Sequence, residues 1–246
     1  MSSTSTNFAT ATCLVGVGFL VGKWSTFTTT PTPTPTPVAK LDLDNPDDAI
    51  QVVRAAYTRR AASQGSCCGG GTVDIKSTAL KLGYAASDVA EFSQQDGTNL
   101  GESCGNPLSF ANLQVGETVV DLGSGAGFDC LLAGRIVGST GKVIGVDMTP
   151  AMIDRARRNV SRGSTNGAQD APNVTFRLGE IEHLPLADST VDCLVSNCVL
   201  NLTQDKQQVY QEIHRVLKPN GRLAIADVIS IHELPERLKN AKALAC

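Results

Sequence analysis

The 246-residue chain has no lysine or arginine block longer than the pairs Arg59-Arg60 and Arg157-Arg158, and its formal net charge is −3. It therefore lacks the broad positive field that a nucleic-acid partner requires. No apolar run is long enough for a membrane span either. The best candidate, residues 8 to 21, falls about six residues short of a bilayer-crossing helix, and no basic residue precedes it. A cytoplasmic protein is expected, with a weak anchor or targeting signal as the other reading of that segment. Histidine is scarce: His183, His214 and His232 fall in loops or on amphipathic helices, so no acid–base constellation stands out. The eight cysteines contain no C-x₂-C pair, since Cys67 and Cys68 are adjacent and four residues separate Cys193 from Cys198. The local spacing thus gives no preformed tetrahedral zinc site. Nor is it the dense, regular spacing of a small secreted disulfide scaffold, which leaves reduced thiols with a chemical task.

What the chain does have is an ordinary globular composition, 41% hydrophobic and 18% charged. Residues 1–44 form a Ser/Thr-rich tail ending in an alternating Thr-Pro linker. Residues 45–116 read as a helical extension carrying two cysteine loops. Its first helix spans about 46–62, with Asn45 as cap, Pro46 in the first turn, and Ile50, Val53 and Tyr57 on one face. A glycine-rich loop with Cys67 and Cys68 follows, then a short helix near 87–92, then a loop holding Cys104. From Glu117 strands and helices alternate. Strands are expected at 118–122, 142–146, 174–178, 191–196 and 222–229, helices near 127–137, 150–161 and 205–217, and a final helix from about 235. Short links between such elements imply parallel strands with right-handed crossovers, an α/β, doubly wound sheet.

The first of these strands runs into a turn with glycines at 123, 125 and 127 and Ser124 between them, at the carboxyl end where open α/β sheets bind nucleosides. The next strand ends in Asp147, 20 residues beyond Gly127, where a carboxylate can accept both ribose hydroxyl protons. Dinucleotide sites present a helix N-terminus to a pyrophosphate. Here Asp121 ends the preceding strand, and its charge would repel phosphate while suiting a cation. S-adenosylmethionine, with an ammonium and a sulfonium and no phosphate, fits better than NAD. Glu180 and Ile181 follow the third strand, where a methyltransferase uses a side chain and a backbone amide on adenine. Met148 and Asn197 complete the expected cofactor set.

Together these segments resemble the arsenite methyltransferases, a family of class I S-adenosylmethionine-dependent enzymes. The resemblance rests on Asp121 to Cys130, Gly145 to Pro150, Gly179 to Leu184 and Ser196-Asn-Cys-Val-Leu-Asn-Leu202, together with Tyr57, Cys67-Cys68, Cys104 before Gly105-Asn-Pro107, and Leu234-Pro-Glu236. It implies methyl transfer to trivalent arsenic held by thiolates, with arsenite or its thiol conjugate as substrate and glutathione or thioredoxin as reductant. Trivalent arsenic is thiophilic, and three thiolates leave its lone pair free to attack a methyl carbon without a general base. Cys198, at the end of the fourth core strand, and Cys104, on a mobile-looking glycine loop, are the expected arsenic ligands. The resemblance gives Cys67 or Cys68 a relay role and places Cys246 near a further arsenic-binding position. Cys130 and Cys193 are expected to pack. The family also continues past Cys246 with two more strands, so the core 117–246 reads as incomplete, with its last strand an open apolar edge. Other readings are a class I methyltransferase of a quinone, a sterol or another small molecule, and a non-catalytic fragment that only binds cofactor or metalloid.

Overall fold

The computed structural model describes residues 15–23, 46–62, 74–94, 97–163 and 173–232. Five parallel strands make the core: β2 (Thr118–Leu122), β3 (Lys142–Asp147), β4 (Val174–Leu178), β5 (Val191–Asn197) and β6 (Leu217–Ser230). A strand β1 (Val15–Lys23) precedes them, and the sheet order is β1-β6-β5-β2-β3-β4. The reversal of direction along this order falls at β2 and β5, which is where a doubly wound sheet opens a crevice at its carboxyl edge.

Alternation along the strands sends successive side chains to opposite faces. Val120, Leu122, Ile144, Val146 and Leu194 point to one face and meet Val209, Ile213 and Val216 of α7 (Lys206–Val216). Val119, Val143, Cys193, Val195 and Ala224 point to the other, against α5 (Phe128–Val137) and α6 (Pro150–Gly163). Both faces are covered, which is why these strands read as nearly continuous apolar runs. Each fully buried valine or leucine contributes roughly 1.5–3 kcal/mol. As expected, Cys130 and Cys193 are buried in this packing.

The extension begins with α1 (Pro46–Ala62), continues through α2 (Ile75–Lys81) and α3 (Ala86–Gln94), and ends in the short α4 (Leu108–Ala111). α2 was not foreseen. Its start is fixed by Asp74, whose carboxylate accepts the amide protons of Lys76 and Ser77. Tyr84, Val89 and Phe92 pack on Phe128, Leu131 and Leu132 of α5, docking the extension to the core. At the end of α1, Arg155 donates to the carbonyl of Ala61 (2.7 Å) and to that of Gly97 (3.0 Å), satisfying a helix-terminal acceptor.

The free edge expected on β6 is occupied. β1 pairs with it antiparallel, from Val15 opposite Ser230 to Lys23 opposite Arg222. A segment read as tail or anchor is thus a strand that caps an apolar edge and satisfies its ladder. No helix among the described residues is long and apolar enough to cross a membrane. The helix expected from 235 lies outside the described residues.

Candidate active site

An open cleft of about 1180 Å³, mouth included, lies at the carboxyl ends of the strands. Its floor is the turn after β2. Gly123, Gly125 and Gly127 all have positive φ, but they serve different ends. A Cβ on Gly123 would lie 2.6 Å from Val199, whereas one on Gly125 would point into open space, where a ligand can approach the backbone. Gly127 does not line the cleft. A Cβ there would lie 2.7 Å from Phe176, so this glycine permits helix–strand packing and its expected cofactor role is corrected.

Nine of the ten expected cofactor residues line the cleft: Asp121, Gly123, Ser124, Gly125, Asp147, Met148, Glu180, Ile181 and Asn197. The lining also carries Glu102, Asp129 and Glu182, and among the described residues it contains no lysine, arginine or histidine. Burial pushes the carboxyl groups of Asp121, Asp129 and Asp147 above their ordinary values, and the Asp129 charge adds to the effect on Asp121. Burial likewise pushes Glu102 up to about 7, against the pull of Arg60. Crowded, desolvated carboxyl groups facing one cavity favour a cationic occupant and disfavour a phosphate. The hydroxyl of Ser124 is buried without a hydrogen-bond partner. This lining fits S-adenosylmethionine. Asp147 is already oriented, accepting amide protons from Gly125 (3.0 Å) and Thr149 (2.8 Å) and a further hydrogen bond from the Thr149 side chain.

Helix α1 closes one side of the cleft with Ile50, Val53 and Tyr57. Arg54 donates to Glu180 at 2.8 Å, so the carboxylate assigned to adenine is engaged by a guanidinium in this state.

Next to the cofactor floor the structure brings Cys104 and Cys198 together with Asp227. Their sulfur and carboxylate donor atoms all lie within 4.8 Å of one another. Cys198 leaves β5 with φ +60, a left-handed turn uncommon outside glycine and a form of backbone strain that clusters at functional sites. Its amide donates to the carbonyl of Ala226 (2.8 Å), and the Cys104 thiol lies 3.6 Å from the same oxygen. Asn197 holds the Cys104 loop on both sides: its carbonyl oxygen accepts the Cys104 amide proton (3.2 Å), and its NH₂ donates to Gly105 O and to Asp129 (both 3.0 Å). Tyr84 donates to the other Asp129 oxygen at 2.7 Å. The Asn197 amide, expected to face the cofactor, is therefore engaged in placing a cysteine. The Cys198 sulfur, burial and Asp227 together raise the Cys104 thiol well above its ordinary pKa. All four described cysteines are free thiols. Cys67, Cys68 and Cys246 lie outside the described residues.

Asp227 was not anticipated, although a lone acid inside the apolar strand 222–229 is a signal, because buried strands rarely keep an acid without a task.

Among known proteins, residues 113–246 match the sequence profile described as "Methyltransferase domain". The arsenite methyltransferase of Halobacterium salinarum is 48% identical over 204 residues, 78% of this chain and 50% of that protein. The arsenite methyltransferase of Mus musculus is 43% identical over 129 residues, 51% of this chain and 34% of that protein. The chain therefore spans half or less of these relatives' length. The crystal structure of an arsenic(III) S-adenosylmethionine methyltransferase from Chlamydomonas reinhardtii superposes with a TM-score of 0.52 at 34% identity, covering 69% of this chain and 56% of that one.

Proposed function

The chain belongs to the methyltransferase-domain family, and on that premise we propose that it methylates trivalent arsenic held by Cys104 and Cys198, with S-adenosylmethionine as methyl donor. The observation that carries this reading is the meeting of two free thiols, from distant parts of the chain, beside a cleft whose described lining is rich in acids and holds no lysine, arginine or histidine. The names of the relatives agree with it.

S-adenosylmethionine supplies a methyl carbon made electrophilic by a cationic sulfur. Asp121, Asp129 and Asp147 favour that cation, Gly125 lets it approach the backbone, and Asp147 receives the ribose. On the other side Cys198 and Cys104 take arsenic from a small-thiol conjugate. Each exchange forms one bond from arsenic to a protein sulfur, breaks one to the small thiol, and passes the cysteine proton to the departing thiolate. A third sulfur comes from Cys67, Cys68, Cys246 or a retained small thiol. With three sulfurs bound, arsenic keeps a lone pair for the methyl carbon, so the protein's contribution is placement and exclusion of water. Giving up that pair takes arsenic from trivalent to pentavalent. A thiol reductant of the glutathione or thioredoxin kind returns the two electrons, which suits a reducing, cytoplasmic setting.

The full 246-residue chain with arsenite, methyl donor and reductant should form methylated arsenic. Cys198→Ser should lower that rate by at least on the order of 10²-fold while keeping cofactor affinity. Undiminished turnover in Cys198→Ser would sink the thiolate mechanism, and cofactor binding without conversion by the unaltered chain would favour a binding fragment.

A further inference from the structure

Asp227 is the member of the thiol cluster for which trivalent arsenic gives no reason. Arsenic(III) is soft and selects sulfur, whereas a carboxylate is a hard oxygen donor. Two thiolates with one carboxylate are an ordinary ligand set for a borderline dication, which takes sulfur at about 2.3 Å and oxygen at about 2.0–2.2 Å in tetrahedral geometry. Such a centre puts two sulfurs about 3.8 Å apart. The donor atoms of Cys104, Cys198 and Asp227 already lie within 4.8 Å of one another, so small side-chain rotations close the remaining gap. No other trio of cysteine, histidine and acidic side chains among the described residues converges in this way.

The carboxylate is also held for the purpose. One Asp227 oxygen accepts the Val228 amide proton (2.7 Å) and the other that of Asn201 (3.2 Å), with the Leu200 amide also directed at the carboxylate, so backbone donors fix its orientation beside the two thiols. The local sequence could not reveal this set, because its three members come from the loop before α4, the turn after β5 and the interior of β6.

We propose that Cys104, Cys198 and Asp227 form a three-point site for a zinc-class dication, which occupies the substrate thiols and blocks arsenic capture. Three protein ligands leave the fourth position to water or a small thiol, so the ion exchanges rather than being locked in. Both thiols release their protons to solvent on binding. The blocking role rests on the reading that these cysteines hold the substrate; the metal site itself does not.

Cadmium is the probe, because its thiolate charge-transfer absorption reports sulfur ligation directly. The reduced full chain, saturated with cofactor, is titrated with Cd²⁺, and the Cys104→Ser/Cys198→Ser double variant supplies the background from the other cysteines. The expected difference is one Cd²⁺ per chain. Asp227→Asn should weaken that site at least tenfold, as loss of a ligand does, while arsenite affinity changes less than threefold. Asp227→Cys should restore cadmium binding and tighten arsenite binding by supplying a third sulfur. Equal cadmium affinity in Asp227→Asn and the unaltered chain would overturn the proposal, as would a parallel loss of cadmium and arsenite in Asp227→Asn with no recovery in Asp227→Cys. If the unaltered chain binds cadmium at this site but takes up no arsenite, the substrate reading fails and the metal site stands.

Discussion

The cofactor side of the cleft and its thiol side differ in how their parts are gathered. Asp121 to Gly125, Asp147 with Met148, and Glu180 with Ile181 come from the carboxyl ends of β2 and β3 and the turns that follow β2, β3 and β4, neighbouring strands of one sheet. Each is a strand end followed by a short motif, so the fold delivers them to one rim without long-range adjustment. The thiol side joins Cys104 to Ala226 and Asp227 across more than 120 positions, and its geometry depends on Asn197 holding a loop of the extension against the core. Local assembly makes a robust pocket. Assembly from distant pieces makes one that a single lost hydrogen bond can misalign.

The same difference governs what could be read from the chain. The α/β alternation and the five core strands follow from periodicity, and the glycine turn after β2 and the acid ending β3 from their local pattern, so nine of the ten residues expected at the cofactor line one cleft. Cys104 and Cys198 came from a family resemblance, and neither spacing nor composition would have paired them. Asp227 went unseen inside an apolar run. Gly127 was misassigned because a glycine motif cannot say which member faces a ligand and which clears Phe176. β1 was missed since nothing in residues 15–23 tells a strand from an apolar tail until the partner β6 is known.

The strongest way to break the comparison is to damage the cofactor side alone. Asp147→Ala removes the acceptor for two amide protons as well as the proposed ribose partner. Cofactor affinity should fall about 100-fold, near 2.7 kcal/mol, while arsenite uptake by the thiols stays within threefold. Calorimetric titration of each ligand decides it. A matched fall in both affinities would mean that the two sides are a single cooperative unit.

The converse test strikes the join. Asn197→Ala leaves the Cys104 amide and one Asp129 oxygen without their partner and takes one of two donors from the Gly105 carbonyl, a loss of roughly 1–3 kcal/mol in stability. Arsenite affinity should drop about tenfold with cofactor affinity nearly unchanged. The thermal midpoint and the two affinities measured together separate this from general unfolding. A selective loss of cofactor affinity instead would return Asn197 to the role expected from the chain alone.

The smallest effect sharpens the electrostatic contrast. Glu102 sits on the acidic lining, its carboxyl pushed up to about 7 by burial with Arg60 opposing. Because the folded value exceeds the ordinary one, this side chain's contribution to stability is complete below about pH 4.5 and is lost as pH rises through 7. Glu102→Gln should therefore change little at pH 5 and stabilise the cofactor-free protein by about 1 kcal/mol at pH 8, since the Arg60 pairing and remaining hydration offset part of the burial cost. A cationic ligand in the cleft opposes the same penalty, so saturating methyl donor should shrink the difference between the two proteins at pH 8. Chemical denaturation at both pH values, with and without ligand, checks this. A pH-independent difference, or one that the cation leaves untouched, would show that the acids of the lining act separately instead of as one field.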